Sequence, residues 1–208
     1  MNKSIVVIGK GKSVLKCNKE FLSKFDEIAI CNFPPIEGYE KYIGDKADYH
    51  FLNAHDTNPY SRKILDGLGL KSVFNTHPKP YPASDFFLPS HKVHYDSDYG
   101  KLVTSYFKKT YDLDPSTGLQ AFYYFVTNEN YKTIGLVGFD FFKVGEKGYY
   151  YKVSEVQDSL KYLYSDDGTK PFNSKGVRIH ENLHNSKKSE KLVKLLSDKY
   201  NKILMEPK

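Results

Sequence analysis

Tryptophan is missing from this 208-residue chain, and cysteine and methionine occur twice each. Two cysteines, Cys17 and Cys31, exclude a disulfide scaffold and a four-cysteine zinc site, and a reduced cytoplasm suits them. No apolar run approaches the roughly 18 residues that a membrane-spanning helix needs. The opening stretch Met1 to Ile8 is too short for a signal-peptide core and runs directly into Gly9-Lys10-Gly11, so a cytoplasmic protein is expected. Arginine is scarce and no basic stripe is interleaved with aromatics, which argues against nucleic acid as a partner.

Hydrophobic residues make up 39% and charged residues 27%, the balance of a soluble globular domain. Lys and Arg outnumber Asp and Glu by 31 to 25. That excess favours an anionic ligand and permits loose peripheral contact with an anionic membrane face. Aromatics reach 15%, through 18 Tyr and 14 Phe. So many phenols fit contacts to a sugar or a nucleotide, and AT-rich coding bias would give the same excess.

β-Branched and apolar runs at Ser4 to Ile8, Glu27 to Ile30, Asp48 to Leu52, Lys71 to Phe74, Thr133 to Val137 and Lys202 to Met205 read as strands. Between them, Ser13 can cap a turn or helix carrying Val14 and Leu15, and Ser61 to Leu68 reads as a short helix. Thr117 to Thr127 is a helix capped by Ser116 or Thr117, and Ser186 to Asp198 is another, with Leu192, Leu195 and Leu196 on one face. Thr76 to Asp98 carries four prolines and reads as loop, and residues 143 to 180 read as a long irregular lid. Strands alternating with helices predict an α/β fold: a single Rossmann-like domain over residues 1 to 208, its sheet mostly parallel with helices on both faces.

Ligands of such sheets sit beyond the carboxyl ends of the strands. There the sequence places Gly9-Lys10-Gly11, Asn32, Asn53 and Gly138-Phe139-Asp140. The run Gly9-Lys10-Gly11-Lys12-Ser13 lacks the first glycine of a P-loop and the third of a dinucleotide fingerprint. It reads either as a phosphate-holding turn or as a plain tight turn. Asp96-Ser97-Asp98 and Asp112-Leu113-Asp114 have the spacing with which two carboxylates bridge a divalent metal to a diphosphate, although both lie in turn-like sequence. His180 and His184 are four apart, a zinc spacing on a helix, but Asn182 and Asn185 disfavour a helix there. His184 lies just before the helix at Ser186, whose positive end favours neutral imidazole, the form that a general base needs.

The order of these pieces resembles sialyltransferases. Asp114-Pro115-Ser116-Thr117-Gly118, an aromatic helix and Gly135-Leu136-Val137-Gly138-Phe139 are similar to the small sialylmotif of the animal-type family. Gly148-Tyr149-Tyr150-Tyr151 stands where that family has its short aromatic third motif. Val6 to Gly11, with Ile30-Cys31-Asn32, is similar to the large motif. The bacterial sialyltransferases of glycosyltransferase family 42 are at least as close. Their Gly-x-Gly-x-Ser loop, Cys-Asn pair, Asn after the third strand, Thr-Ser-Gly and Gly-x-Asp-Phe correspond to Gly9 to Ser13, Cys31-Asn32, Asn53, Ser116-Thr117-Gly118 and Gly138 to Phe141. The chain departs from these patterns at Lys10 (an Asn in both families), at Phe142 (a Tyr in the bacterial one) and at Asp114 (an Arg there).

The resemblance implies the sialyltransferase variant of the GT-A fold, a CMP-sialic acid donor, a glycan acceptor, inversion at the anomeric carbon and no required metal or other cofactor. It makes His184 the base that takes the acceptor proton and Tyr149 or Tyr150 the phenol that supports the leaving phosphate. Asn32 and Asn53 would hold CMP with Gly9, Lys10, Gly11 and Ser13 nearby; Ser116, Thr117 and Gly118 would line the opposite wall, and Gly138, Phe139 and Asp140 complete the donor site. Another CMP-linked acidic sugar such as Kdo, a metal-dependent transferase using an Asp pair, and a catalytically silent nucleotide- or sugar-binding module remain as alternatives. Neither the acceptor nor an oligomeric state can be read from the chain.

Overall fold

The central strand β1 (Lys3–Ile8) is buried over its last four residues, as a strand covered by helices on both faces must be. It pairs on one side with β2 (Glu27–Cys31) and on the other with β6 (Tyr131–Val137). The computed structural model describes residues 2–32, 35–53, 67–79, 93–141 and 185–207. Within them β3 (Tyr49–Leu52), β4 (Ser72–Asn75), β5 (His94–Asp96) and β7 (Ile203–Met205) complete a seven-stranded sheet in the order β5-β4-β3-β2-β1-β6-β7. Every pairing is parallel. The α/β class and the parallel sheet expected from the sequence are therefore what the chain adopts.

The period-2 alternation of the strands sorts the core onto two faces. Ile5, Val7, Ala29, Cys31, Phe51 and Phe74 point to one side, where α3 (Tyr99–Tyr111), α4 (Thr117–Thr127) and α5 (Ser186–Lys199) cover them. Val6, Ile8, Ile30, Leu52 and Val73 point to the other. A 3-10 turn at Lys12–Lys16 and the short helices α1 (Lys19–Leu22) and α2 (Glu40–Ile43) pack on that side. Gly135 in β6 is small for a packing reason, since a Cβ there would lie 2.5 Å from the Phe25 ring.

Four expectations are corrected. The stretch read as loop between Thr76 and Asp98 contains an edge strand, β5, and is followed by a thirteen-residue helix, α3. Ser13 caps nothing with its side chain; Gly11 is the N-cap of the turn. Of the two candidate caps of α4, Ser116 does the work, its Oγ accepting the Leu119 N–H at 3.3 Å. Leu195 does not share the buried face of α5: it is 58% exposed, while Leu192, Val193 and Leu196 are buried. The lid at 143–180 and most of the helix at 61–68 fall outside the described residues.

Candidate functional site

The chain moves outward from β1 through β2, β3, β4 and β5, then returns to β6 on the opposite side of β1. The carboxyl ends of β1 and β6 thus flank a topological switch point, where a crevice opens in sheets of this kind. The loops that leave these two strands are locked together. Gly9 donates its N–H to Val137 O at 2.7 Å and Gly11 to Gly138 O at 3.0 Å. Ser13 donates its backbone N–H to Asp140 Oδ2 at 3.1 Å. A Cβ on Gly9 would fall 2.7 Å from Gly138 O; one on Gly11 would fall 2.8 Å from the same oxygen and closer still to the Asp140 carboxylate. Gly138 has φ +72°, and a Cβ on it would meet Val14 Cγ2 at 2.6 Å. These glycines serve the close approach of two backbones, and the N–H groups of Gly9, Gly11 and Ser13 are engaged within the protein. Asp140 is 7% exposed, and its other oxygen, Oδ1, is buried without a hydrogen-bond partner among the described residues.

Asn32 is the hub of the adjoining wall. It stands just after β2 with φ +57°, a left-handed conformation that asparagine tolerates. Its N–H donates to Phe51 O at 2.6 Å, and its carbonyl accepts from His50 Nε2. Its Oδ1 accepts the Asn53 N–H at 2.9 Å and, at 3.4 Å, the Thr117 hydroxyl. A backbone N–H is an unambiguous donor, so the amide orientation is fixed and the Nδ2 amine is the end left to give hydrogen bonds. His50 is fully buried, and burial lowers its pKa to about 4 although the bond to Asn32 pulls the other way. The ring is neutral at ordinary pH, with its Nε2 proton directed at the Asn32 carbonyl.

The third element is the start of α4. Leu119 N–H is capped by Ser116 Oγ, and Gln120 N–H returns to Ser116 O. The N–H groups of Thr117 and Gly118 come earlier than the first intrahelical bond and carry the positive end of the helix dipole. Thr117 Oγ1 lies 3.0 Å from Thr76 Oγ1, and a Cβ on Gly118 would touch the Phe139 ring at 3.2 Å. Gln120 Nε2 ties this end down by donating to Thr76 O at 3.0 Å and Pro115 O at 3.2 Å, while Tyr99 Oη donates to Gln120 O at 2.7 Å.

The structure thus brings together Gly9, Gly11, Ser13, Gly138 and Asp140 as one unit, Asn32, Asn53 and Thr117 as a second, and Gly118 with Phe139 as the seam between them. Lys10 follows β1 in the first loop. His184, Tyr149, Tyr150 and Phe142 lie outside the described residues. The aspartate pairs have other employment. Asp96 Oδ1 accepts the N–H groups of Asp98 and Tyr99 at 3.0 and 2.9 Å, capping α3. Asp112 and Asp114 both face Lys108, at 3.8 and 3.7 Å. Cys17 and Cys31 are buried free thiols whose pKa values burial raises to about 11 and 12.

Sequence reading missed His50, Asn75, Thr76 and Gln120. Asn75 and Thr76 stand at the end of β4, where the rule that found Asn32 and Asn53 applies equally. His50 and Gln120 lie inside a strand and a helix, and their only signal is a polar residue amid an apolar run.

No protein-family model matches the sequence, and no curated protein matches it. Solved structures do. A mammalian sialyltransferase in complex with Gal-β-1,3-GalNAc-ortho-nitrophenol aligns with TM-score 0.57 and 12% identity over 100% of this chain and 70% of that one. The sialyltransferase CstII from Campylobacter jejuni, in complex with the substrate analogue CMP-3FNeuAc, aligns with TM-score 0.57 and 16% identity over 99% and 80% of the two chains. The same enzyme with cytidine 5′-monophosphate gives TM-score 0.59 and 15% identity over 99% and 79%. At such identities the likeness is one of fold, and it spans the chain from end to end: this protein has the fold of the sialyltransferases.

Proposed function

We propose that the chain is an inverting glycosyltransferase that moves sialic acid from CMP-sialic acid to a hydroxyl of a glycan acceptor, without a metal. The observation that carries this reading is Asn32 standing beside the start of α4, with the Thr117 hydroxyl 3.4 Å from its Oδ1, at the carboxyl end of a sheet with the sialyltransferase fold. The Asn32 amide and the first N–H groups of α4 are donors without formal charge, the kind of group that an anionic donor substrate calls for. A departing CMP carries one phosphate, whose charge phenols, N–H groups and lysines can stabilise without a divalent ion. Lys10 and Lys12, on the loop after β1, are the nearest cations in sequence to that crevice.

In this mechanism the bond between the anomeric carbon and the phosphate oxygen breaks, and its electron pair leaves with CMP. The acceptor oxygen attacks the opposite face of that carbon and gives up its proton to His184. His184 immediately precedes Asn185, whose Oδ1 caps α5 by accepting the Lys188 N–H at 2.9 Å. The positive end of a fourteen-residue helix next to position 184 favours neutral imidazole, which suits a base. Tyr149 or Tyr150 donates a phenol hydrogen bond to the leaving phosphate, and the 143–180 segment shields the donor from water.

The test is release of CMP from CMP-sialic acid with EDTA present and a panel of galactosides. Release that survives EDTA and rises with one acceptor is the expected result. His184→Ala should slow transfer by roughly 10²–10⁴ while CMP affinity stays similar, and a phenylalanine at the supporting tyrosine should slow donor cleavage. CMP binding without turnover would make the chain a silent binder or a transferase of another CMP-sugar, and no binding at all would overturn the reading.

A further inference from the structure

The excess positive charge of the chain is concentrated on two helices. α3 and α5 together hold eight lysines against two carboxylates, Glu190 and Asp198, a net of +6. The formal net charge of the whole chain is also +6, so the remainder sums to zero. The flanking Asp112 lies within 3.8 Å of both Lys108 and Lys188, so the two helices meet through it. Lys199 of α5 is also among the charges that act on the Tyr106 phenol of α3.

The same two helices carry exposed apolar groups: Leu102 and Leu195 face outward, and Tyr106 packs on Phe107 and Tyr123 with part of its ring exposed. Among the described residues five large apolar side chains are exposed, and Leu102 (66%), Leu195 (58%) and Tyr106 are three of them. Leu102, Tyr106 and Lys109 recur at helical spacing on α3, and Lys191, Leu195 and Lys199 do so on α5. Each stripe thus sets lysine beside an apolar side chain.

We propose that this face docks on an anionic lipid bilayer, with Leu102, Tyr106 and Leu195 entering the headgroup region and the lysines meeting lipid phosphates. Charge complementarity selects the occupant. A second copy of the chain would bring the same net +6 against itself, whereas lysines are attracted to an anionic leaflet. The exposed leucines add apolar burial to that attraction, so both components strengthen binding. The inference rests on α3 and α5 and is independent of the glycosyltransferase reading.

Co-sedimentation of the full chain with phosphatidylcholine vesicles, with and without roughly 30% phosphatidylglycerol, tests it. The protein should sediment only with the anionic vesicles and be released by salt. The triple variant Lys109→Glu, Lys191→Glu, Lys199→Glu should bind at least tenfold more weakly with an unchanged circular dichroism spectrum. Leu195→Ser, at an exposed position, should weaken binding several-fold. Equal sedimentation with neutral vesicles, undiminished binding of the triple variant, or absence of binding to the anionic vesicles would each overturn the proposal, and a dimer that Leu195→Ser dissociates would assign the face to a second copy instead.

Discussion

Asn32 Oδ1 accepts the backbone N–H of Asn53 at 2.9 Å, so one side-chain amide clamps the ends of β2 and β3. One side chain thus has two ends with separable duties. Asn32→Asp keeps an acceptor for the Asn53 N–H and the Thr117 hydroxyl and tolerates the left-handed backbone, but replaces the Nδ2 donor with a charged oxygen. CMP should bind at least tenfold more weakly to this variant, with the melting temperature little changed. Asn32→Ala should lose stability as well, because it strips the clamp. Calorimetric titration with CMP and thermal unfolding of both variants separate the two duties; unaltered affinity in Asn32→Asp would place the nucleotide elsewhere.

His50 holds the same asparagine from behind, and its titration gives a pH signature. Its pKa falls from 6.5 to about 4 on folding. The unfolded chain therefore takes up the proton first as pH drops. The stability that His50 contributes is complete above about pH 6.5, is lost progressively down to about pH 4, and changes no further below that. Its size is about 3 kcal/mol, from 1.36 kcal/mol for each pKa unit. Urea unfolding across this range should show the slope in the parent protein. His50→Gln should flatten that part of the curve, and an identical slope in the variant would assign it to other groups.

A second acid-sensitive element lies at the opposite end of the strands. Glu27, 4% exposed at the amino end of β2, accepts from Lys3 and Lys71 at 3.0 and 2.8 Å, from Tyr131, and from Tyr49 at 3.4 Å. Burial pushes this carboxyl up, but the bonds from Lys71, Tyr131 and Lys3 outweigh it and hold the group at about 2, below its ordinary 4.5. Its contribution is complete above about pH 4.5 and fades as pH falls toward 2, a window below that of His50. Glu27→Leu should lower stability by about 2–4 kcal/mol at neutral pH, since two lysines and two phenols lose their acceptor. Because the crevice lies at the other end of the strands, CMP affinity at a temperature where the variant is folded should be unchanged. A matched loss of affinity would tie this cluster to the site.

How much of this was legible follows from the kind of signal each residue leaves. β1 through Gly9, β2 through Asn32 and β6 through Gly138 are apolar runs ended by a small or amide residue, and both the sheet and the positions beyond it follow from that pattern. Helix α3 was missed because its core-facing positions, the buried Tyr99, Val103 and Phe107 and the half-buried Tyr111, are mostly aromatic and follow a proline-rich stretch. Their four-residue spacing was the available cue. Leu195 misled for the opposite reason: Leu192, Leu195 and Leu196 look like one stripe, whereas the buried stripe is Ser189, Leu192, Val193, Leu196 and Ser197. The locking of the two glycine loops is a long-range contact, between residues 127 apart at Ser13 and Asp140, and leaves no local trace.

That locking separates two explanations of the glycines. If Gly9 and Gly11 were there only to let a phosphate approach, alanine would weaken ligand binding and leave the free protein unchanged. The contacts with Gly138 and Asp140 give the reverse order of effects. Gly11→Ala drives a Cβ into the Asp140 carboxylate and the Gly138 carbonyl, so it should destabilise the ligand-free protein by about 1–3 kcal/mol. Gly138→Ala adds the left-handed backbone cost of about 1–2 kcal/mol to its collision with Val14 and should be worse. Gly118→Ala meets only the edge of the Phe139 ring at 3.2 Å, which can give by a few tenths of an ångström, and should be the mildest. Thermal unfolding without nucleotide should rank the losses Gly138→Ala, Gly11→Ala, Gly118→Ala from largest to smallest. A ligand-free Gly11→Ala protein as stable as the parent would show that the loops do not depend on their interlock, and would return the glycines to phosphate binding.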